Sequence, residues 1–295
     1  MRFKIELSIC RVRGGGSILA HCTNPGAENA MSDAVLTEIR DGIAIITLNR
    51  PQTLNVLSPE MRPAFTEAIC RVETDDAARC VVIRAAGDHF MAGGDIRYME
   101  KRLELDRDER RRAVMEGIHY LHLGIFAIRR MGKPVVASIQ GAVAGFGVGL
   151  VGACDLAIAA DDAIFTLAYC HIGASPDGGS SYFVARSMGM KQQFELAFLG
   201  DRFDANRARD LGLVNWVVPR AELEAETEKL AKRLAAGPTH AYGNAKKLFN
   251  ASLTNSIESH LQMEGELIAD SMATDDHEEG VRAFLAKRKP TFTGR

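Results

Sequence analysis

Short runs of β-branched and aliphatic residues recur along this chain, each followed by a turn or glycine-rich loop and then by apolar residues at helical spacing. No other feature confines the fold as tightly. A short run bounded by turn signals reads as a strand, because branched side chains pack on a pleated surface, whereas apolar residues three or four apart read as one face of a helix. The first two runs, Val35-Leu36-Thr37-Glu38-Ile39 and Ile43-Ala44-Ile45-Ile46-Thr47-Leu48, are separated by Asp41-Gly42, which predicts a β-hairpin. Ser58 is then expected as the N-cap and Pro59 as the first residue of a helix bearing Met61, Phe65, Ala68, Ile69 and Val72. The order repeats: a strand from Cys80 to Ala85, a glycine-rich loop, a long helical stretch through Met99, Leu103 and Val114, a strand from Pro134 to Ile139, and strands from Leu156 to Ala160 and from Ala163 to Leu167.

Strands alternating with helices predict an α/β core over residues 32–200. Beyond Gly200 the pattern turns helical and predicts a C-terminal subdomain over 201–295. There Asp204 caps a helix to Leu211, Gly212 ends it, and further helices cover 221–236, 239–253, 255–273 and 277–288. Residues 1–31 scatter Gly14-Gly15-Gly16 and Asn24-Pro25-Gly26 among short apolar pieces, so a loosely ordered extension is expected, with Met31 as an alternative start.

A net charge of −2 lacks the basic excess that a phosphate backbone attracts, so small metabolites are expected as partners rather than nucleic acid. No apolar run reaches bilayer length, since Asp155 interrupts even the stretch from Ile139 to Ala160. Cysteines 10, 22, 70, 80, 154 and 170 form no CxxC and no metal-ligand spacing, which fits reduced thiols and a cytoplasmic location. The arginine-rich stretch Arg107 to Arg112 reads as a solvated helix face.

Two loops are candidates for chemistry, because each sets glycines just after a buried strand: Phe90-Met91-Ala92-Gly93-Gly94-Asp95, and Gly141 through Gly149. Glycines let consecutive amides aim at one point, and a helix starting there adds its positive dipole end. Gly145-x-Gly147-x-Gly149 is neither a dinucleotide fingerprint nor a P-loop.

Together with Leu48-Asn49-Arg50-Pro51, Asn55 and Met61, with Lys133-Pro134-Val135-Val136-Ala137, and with Ser175-Pro176-Asp177-Gly178-Gly179, these loops resemble the enoyl-CoA hydratase/isomerase (crotonase) superfamily from about Val35 to the C-terminus. The resemblance implies an α/β spiral of ββα units, with a helical C-terminal subdomain serving oligomerisation and CoA cover, and assembly as a homotrimer or hexamer. It implies an acyl-CoA substrate, with coenzyme A carried by that substrate and no metal or other cofactor. By position, the amides of Gly94 and Phe146 would form an oxyanion hole. Preorganised amides in a dry site contribute roughly 3 to 4 kcal/mol per donor. Leu54, Val56, Ala92, Asp95 and Ile96 would line the CoA track, with Gly145, Ala168 and Tyr169 also at the substrate; for Leu54 and Val56 the alternative is ordinary core. Lys287-Arg288-Lys289 and Phe292 resemble the end that touches CoA phosphates in relatives, a solvated tail being the alternative.

The family's hydratases use two glutamates, and the matching positions here are Gly149 and Tyr169. A glycine transfers no proton, and a tyrosine is a weak base at neutral pH. Asp177 remains, unless it merely caps the helix that follows. Its loop resembles that of family isomerases in which a single acid shuttles a proton between two carbons of the acyl chain. The alternatives are an atypical hydratase, a dehalogenase-like enzyme with Asp177 as nucleophile, in which His122 and Tyr169 sit near positions that are His and Trp in such relatives, and a non-catalytic acyl-CoA-binding protein. Ser180 and Ser181 have no evident basic partner, which argues against a Ser/His/Asp hydrolase.

Overall fold

A computed structural model describes residues 33–295; the extension expected over 1–31 lies outside the described residues. The hairpin forms as its turn chemistry dictates. Strands β1 (Val35–Arg40) and β2 (Ile43–Leu48) pair antiparallel, and Asp41 and Gly42 between them take φ of 51° and 75°. Two successive positive φ values turn the chain with the twist that the flanking strands need. The strands that follow are β3 (Cys80–Ala85), β4 (Val135–Ile139), β5 (Ala142–Ala144), β6 (Leu156–Ala160), β7 (Ile164–Thr166), β8 (Phe203–Asp204) and β9 (Trp216–Val218). One sheet has the order β1-β2-β3-β4-β6-β9, parallel from β2 onward, and a smaller one has the order β5-β7-β8.

The helices are α1 (Met61–Thr74), α2 (Ile96–Lys101), α3 (Arg107–Arg130), α4 (Phe146–Ala153), α5 (Ser180–Ser187), α6 (Met190–Leu199), α7 (Ala205–Asp210), α8 (Leu223–Ala235), α9 (Thr239–Ala251), α10 (Ile257–Met272) and α11 (Asp275–Leu285). A parallel sheet needs cover on both faces. Ala44, Ile46 and Leu48 of β2, Val81 and Ile83 of β3, and Ala137 and Ile139 of β4 face the main core with Phe65 of α1, Ile125 of α3 and Leu150 of α4. The alternate residues Ile43, Ile45, Cys80, Val82 and Val136 face Ala231 and Ala235 of α8. That alternation is the two-residue period of a strand read onto two buried faces.

Three local differences from the sequence reading have clear causes. Strands β8 and β9 lie beyond Gly200, where the pattern reads as helical. They span two and three residues, too short for a period to register, yet they join the two sheets, so the start of 201–295 builds the core. The long stretch after Ile96 is broken at Asp106, whose carboxylate accepts from the Asp108 and Glu109 amides and starts α3 afresh. Helix α1 begins at Met61, not at Pro59, although Ser58 still caps it through its Oγ, 3.2 Å from the Met61 amide.

The C-terminal helices dock through buried polar ties. Lys246 of α9 meets Asp155 at 2.7 Å, and Arg79 donates to the carbonyls of Gly237 (2.6 Å) and Phe292 (2.9 Å). The stretch Arg107 to Arg112 is the largely exposed start of α3. Cys70, Cys80, Cys154 and Cys170 are free thiols, and burial pushes Cys80 up to about 12. No helix among the described residues is long and apolar enough to cross a membrane.

Candidate active site

The two glycine loops leave the ends of β3 and β4 and are laced together by backbone. Met91 donates to Ala142 O (3.0 Å) and accepts from Ala144 N (2.9 Å), while Leu57 donates to Gly93 O (2.8 Å) and Ala92 to Leu54 O (3.0 Å). Fully buried Asn55 clamps the same region, accepting from Arg50 N at 2.7 Å and donating to the carbonyls of Ala86 (3.0 Å) and His89 (2.8 Å). Among the described residues, no group accepts a hydrogen bond from the amide of Gly94 or of Phe146.

Phe146 opens α4, where amides have no partner within the helix and the helix dipole presents its positive end. Gly145 before it has φ 51° and ψ −116°, a conformation that a side chain would strain. The Phe146 ring is buried edge-on against Phe65, 6.1 Å between centroids, and lies directly against Gly178. The loop that carries Asp177 is thereby pinned against the start of α4.

Asp177 does not cap α5 with its carboxylate. The backbone carbonyl of Asp177 takes that role, accepting from Ser180 N (2.9 Å) and Ser180 Oγ (2.8 Å). Its Oδ1 accepts instead from the hydroxyl of Tyr169 at 2.7 Å. Burial, aided by the neighbouring charge of Asp177, raises the proton affinity of Tyr169, so the phenol stays a neutral donor. The Tyr169 ring also packs against Gly145. One cluster therefore holds Gly145, Phe146, Tyr169, Asp177 and the buried Ser180. Sequence reasoning missed the Tyr169–Asp177 bond. Residues 169 and 177 lie in a 3-10 turn and an irregular loop, where no periodicity signals that two side chains face each other.

Gly149 allows a very close approach. A β-carbon there would lie 2.8 Å from Gly178 O and 3.0 Å from Ser180 N, so α4 packs onto the Asp177 loop at backbone contact distance. The position at which family hydratases carry one glutamate has no room for a side chain in this packing.

The remaining expected residues divide between the site and other duties. Leu54 is not core: it is 44% exposed with φ 55°, and Val56 is half-buried. Ala92 and Ala168 are half-buried and Ile96 is 56% exposed. Asp95 caps α2 by accepting from Tyr98 N at 3.1 Å. The basic end is exposed at Lys287, Arg288 and Lys289, and it is tied to α11. Arg288 forms a two-pronged ion pair with Glu279 (2.6 and 2.7 Å), and Asp276 accepts from the Thr293 and Gly294 amides. His122 lies half-buried on α3, its ring 6.1 Å from that of Phe126.

Comparison with known proteins agrees with this geometry. The sequence model of the family described as enoyl-CoA hydratase/isomerase matches residues 38–295. The 1,2-epoxyphenylacetyl-CoA isomerase of Escherichia coli K12 is 33% identical over 268 residues, covering 90% of this chain and 100% of that protein. The trans-2-decenoyl-[acyl-carrier-protein] isomerase of Streptococcus mutans is 31% identical, covering 88% of this chain and 98% of that protein. The crystal structure of an enoyl-CoA hydratase from Polaromonas sp. JS666 superposes with a TM-score of 0.82 at 34% identity, covering 88% of this chain and 99% of the other. With two laced glycine loops, a free amide at the head of α4 and a family match over most of its length, the chain belongs to the enoyl-CoA hydratase/isomerase family, the crotonase superfamily of enzymes.

Proposed function

We propose that this enzyme moves the double bond of a 3-enoyl-CoA into conjugation with the thioester, with Asp177 as the proton shuttle. The observation that carries the reading is the carboxylate of Asp177, held at 2.7 Å by a neutral tyrosine in a loop packed against the start of α4, while glycine fills position 149. Asp177 removes a proton from C2, and negative charge develops on the thioester oxygen. The amides of Gly94 and Phe146 hold that oxygen in the dienolate, and Asp177 returns the proton to C4. One carboxylate suffices because a proton is moved within the substrate and no water is activated. The mechanism calls for no metal or redox cofactor, and coenzyme A arrives with the substrate along Leu54, Val56, Ala92, Asp95 and Ile96, with Ala168 at its edge.

A homotrimer or a pair of trimers belongs with this reading. Phe249, Leu253, Ile257, Leu261, Phe284 and Leu285 of the C-terminal helical region expose apolar side chains that a neighbouring subunit would cover.

The reading is tested by incubating the protein with trans-3-hexenoyl-CoA and, separately, with crotonyl-CoA while following the conjugated-thioester absorbance. Conjugation of the first with little hydration of the second is expected. Hydration of crotonyl-CoA at the faster rate would overturn the proposal in favour of a hydratase of atypical site.

A further inference from the structure

One charged group beside Asp177 has no use in the mechanism above. Arg62 of α1 crosses to α3, where its Nη1 lies so close over Gly117 that a β-carbon there would overlap it. The residue is half-buried and its Nε is sealed from solvent with no acceptor. Among the described residues no hydrogen bond or ion pair engages the guanidinium. Leaving that buried N–H unmatched is costly, and the terminal nitrogens have no acceptor among the described residues either.

The surroundings indicate what would match it. Burial and then the nearby Arg102 oppose the charge of Arg62, whereas Tyr98 and Asp177 favour it, so all three lie within its electrostatic reach. Arg102 is itself half-buried, with its guanidinium 4.5 Å above the Tyr98 ring and an Nη2 donating to the Tyr98 hydroxyl at 2.9 Å. A second guanidinium thus lies within reach of Arg62, and Asp177, the carboxylate that favours its charge, already accepts from Tyr169.

Resting on the acyl-CoA reading above, we propose that Arg62 binds a carboxylate at the far end of the acyl group, so that the preferred substrates are CoA thioesters of dicarboxylic acids. Arginine suits this role because its planar fork matches a carboxylate in two parallel hydrogen bonds, with the nearby Arg102 adding charge. The anion is supplied by the substrate, and the free enzyme keeps the donors open for it.

The test is calorimetric binding of matched saturated pairs, succinyl- with butyryl-CoA, adipoyl- with hexanoyl-CoA and suberoyl- with octanoyl-CoA, to the wild type, Arg62→Met and Arg62→Lys. At least one diacid thioester is expected to bind tenfold or more tightly than its neutral partner. Arg62→Met should bring that ratio near one, and Arg62→Lys should restore part of it. Because the readout is a ratio, a general weakening of either variant cancels. No preference at any of the three lengths in the wild type, or a preference that survives Arg62→Met, overturns the proposal. Binding is independent of turnover: a diacid preference without isomerisation of either trans-3-hexenoyl-CoA or its diacid counterpart trans-3-hexenedioyl-CoA sustains this inference and sinks the isomerase reading, and isomerisation without the preference does the reverse.

Discussion

In the proposed site the amides of Gly94 and Phe146 and the carboxylate of Asp177 are held by opposite means. The amides are fixed by backbone bonds between two loops, by buried Asn55 and by the start of α4, so several residues share the task and few of their side chains matter. The carboxylate hangs on one side-chain hydrogen bond from Tyr169, in a loop kept in place by close packing against Gly149 and Phe146. A scaffold of the first kind can serve many reactions, because an amide stabilises any oxyanion placed before it. The second kind decides which reaction follows, and single substitutions should separate the two.

The largest effect is expected from Asp177→Asn. Asparagine keeps the shape and can still accept from Tyr169 through its amide oxygen, but it cannot carry a proton. Isomerisation of trans-3-hexenoyl-CoA should fall roughly 10³-fold, within the range that positioned acid–base groups contribute. Calorimetric affinity for a saturated acyl-CoA should change by less than about threefold, since the amides and the CoA track are untouched. Equal losses in turnover and affinity would break the contrast, because Asp177 would then be part of the scaffold.

Next comes Gly149→Glu, which restores the glutamate of family hydratases at that position. Its β-carbon would press on Gly178 O and Ser180 N, so overpacking should destabilise the fold by about 1 to 3 kcal/mol, read from urea unfolding, and displace Asp177. Isomerisation should drop without any gain in hydration of crotonyl-CoA. A gain would mean that the Asp177 loop is more yielding than its packing implies. Gly265→Ala is the control for adding a methyl group: this glycine lies within α10 with open space around it, and alanine there should stabilise by roughly 0.5 to 1 kcal/mol.

The same division explains what could be read from the sequence. The scaffold announces itself through glycines after buried strands and through Asn55, residues whose backbone or amide role leaves few substitutes, so the loops and the fold class were legible. Strands β8 and β9 were not, because two or three residues carry no period. The surroundings of Asp177 were legible only in part. Asp177 stands out as an acid in a glycine-rich turn, but Tyr169 reads as a missing glutamate at the substrate with no tie to Asp177, and no pattern singles out Arg62. Both acquire meaning from tertiary contacts, Tyr169 across a turn and Arg62 across the α1–α3 packing, which no local pattern encodes.

The smallest effect, and the sharpest probe of the carboxylate's support, is expected from Tyr169→Phe. The substitution removes one hydroxyl and leaves the ring against Gly145, so the oxyanion amides should be unaffected. A hydrogen bond to a charged acceptor contributes about 1.5 to 3 kcal/mol, but water can replace part of it at a half-buried carboxylate, so kcat should fall by about tenfold with KM nearly constant. Alkaline pH supplies a second readout whose sign follows from burial. Folding raises the proton affinity of Tyr169, chiefly by desolvation and then through the charge of Asp177. Below pH ~10 the folded and unfolded chains both keep the phenolic proton; above it the unfolded chain releases the proton while the folded protein retains it, so the stability linked to this group is lost as pH rises. The phenylalanine variant lacks the group. Its unfolding midpoint relative to the wild type should therefore shift in its favour as pH climbs past ~10, and one of the wild type's five tyrosines should resist ionisation until the fold is lost. If kcat falls but the alkaline difference is absent, Tyr169 is solvated in solution and water supports Asp177; if the alkaline difference is present with kcat unchanged, the 2.7 Å bond holds the tyrosine rather than the acid.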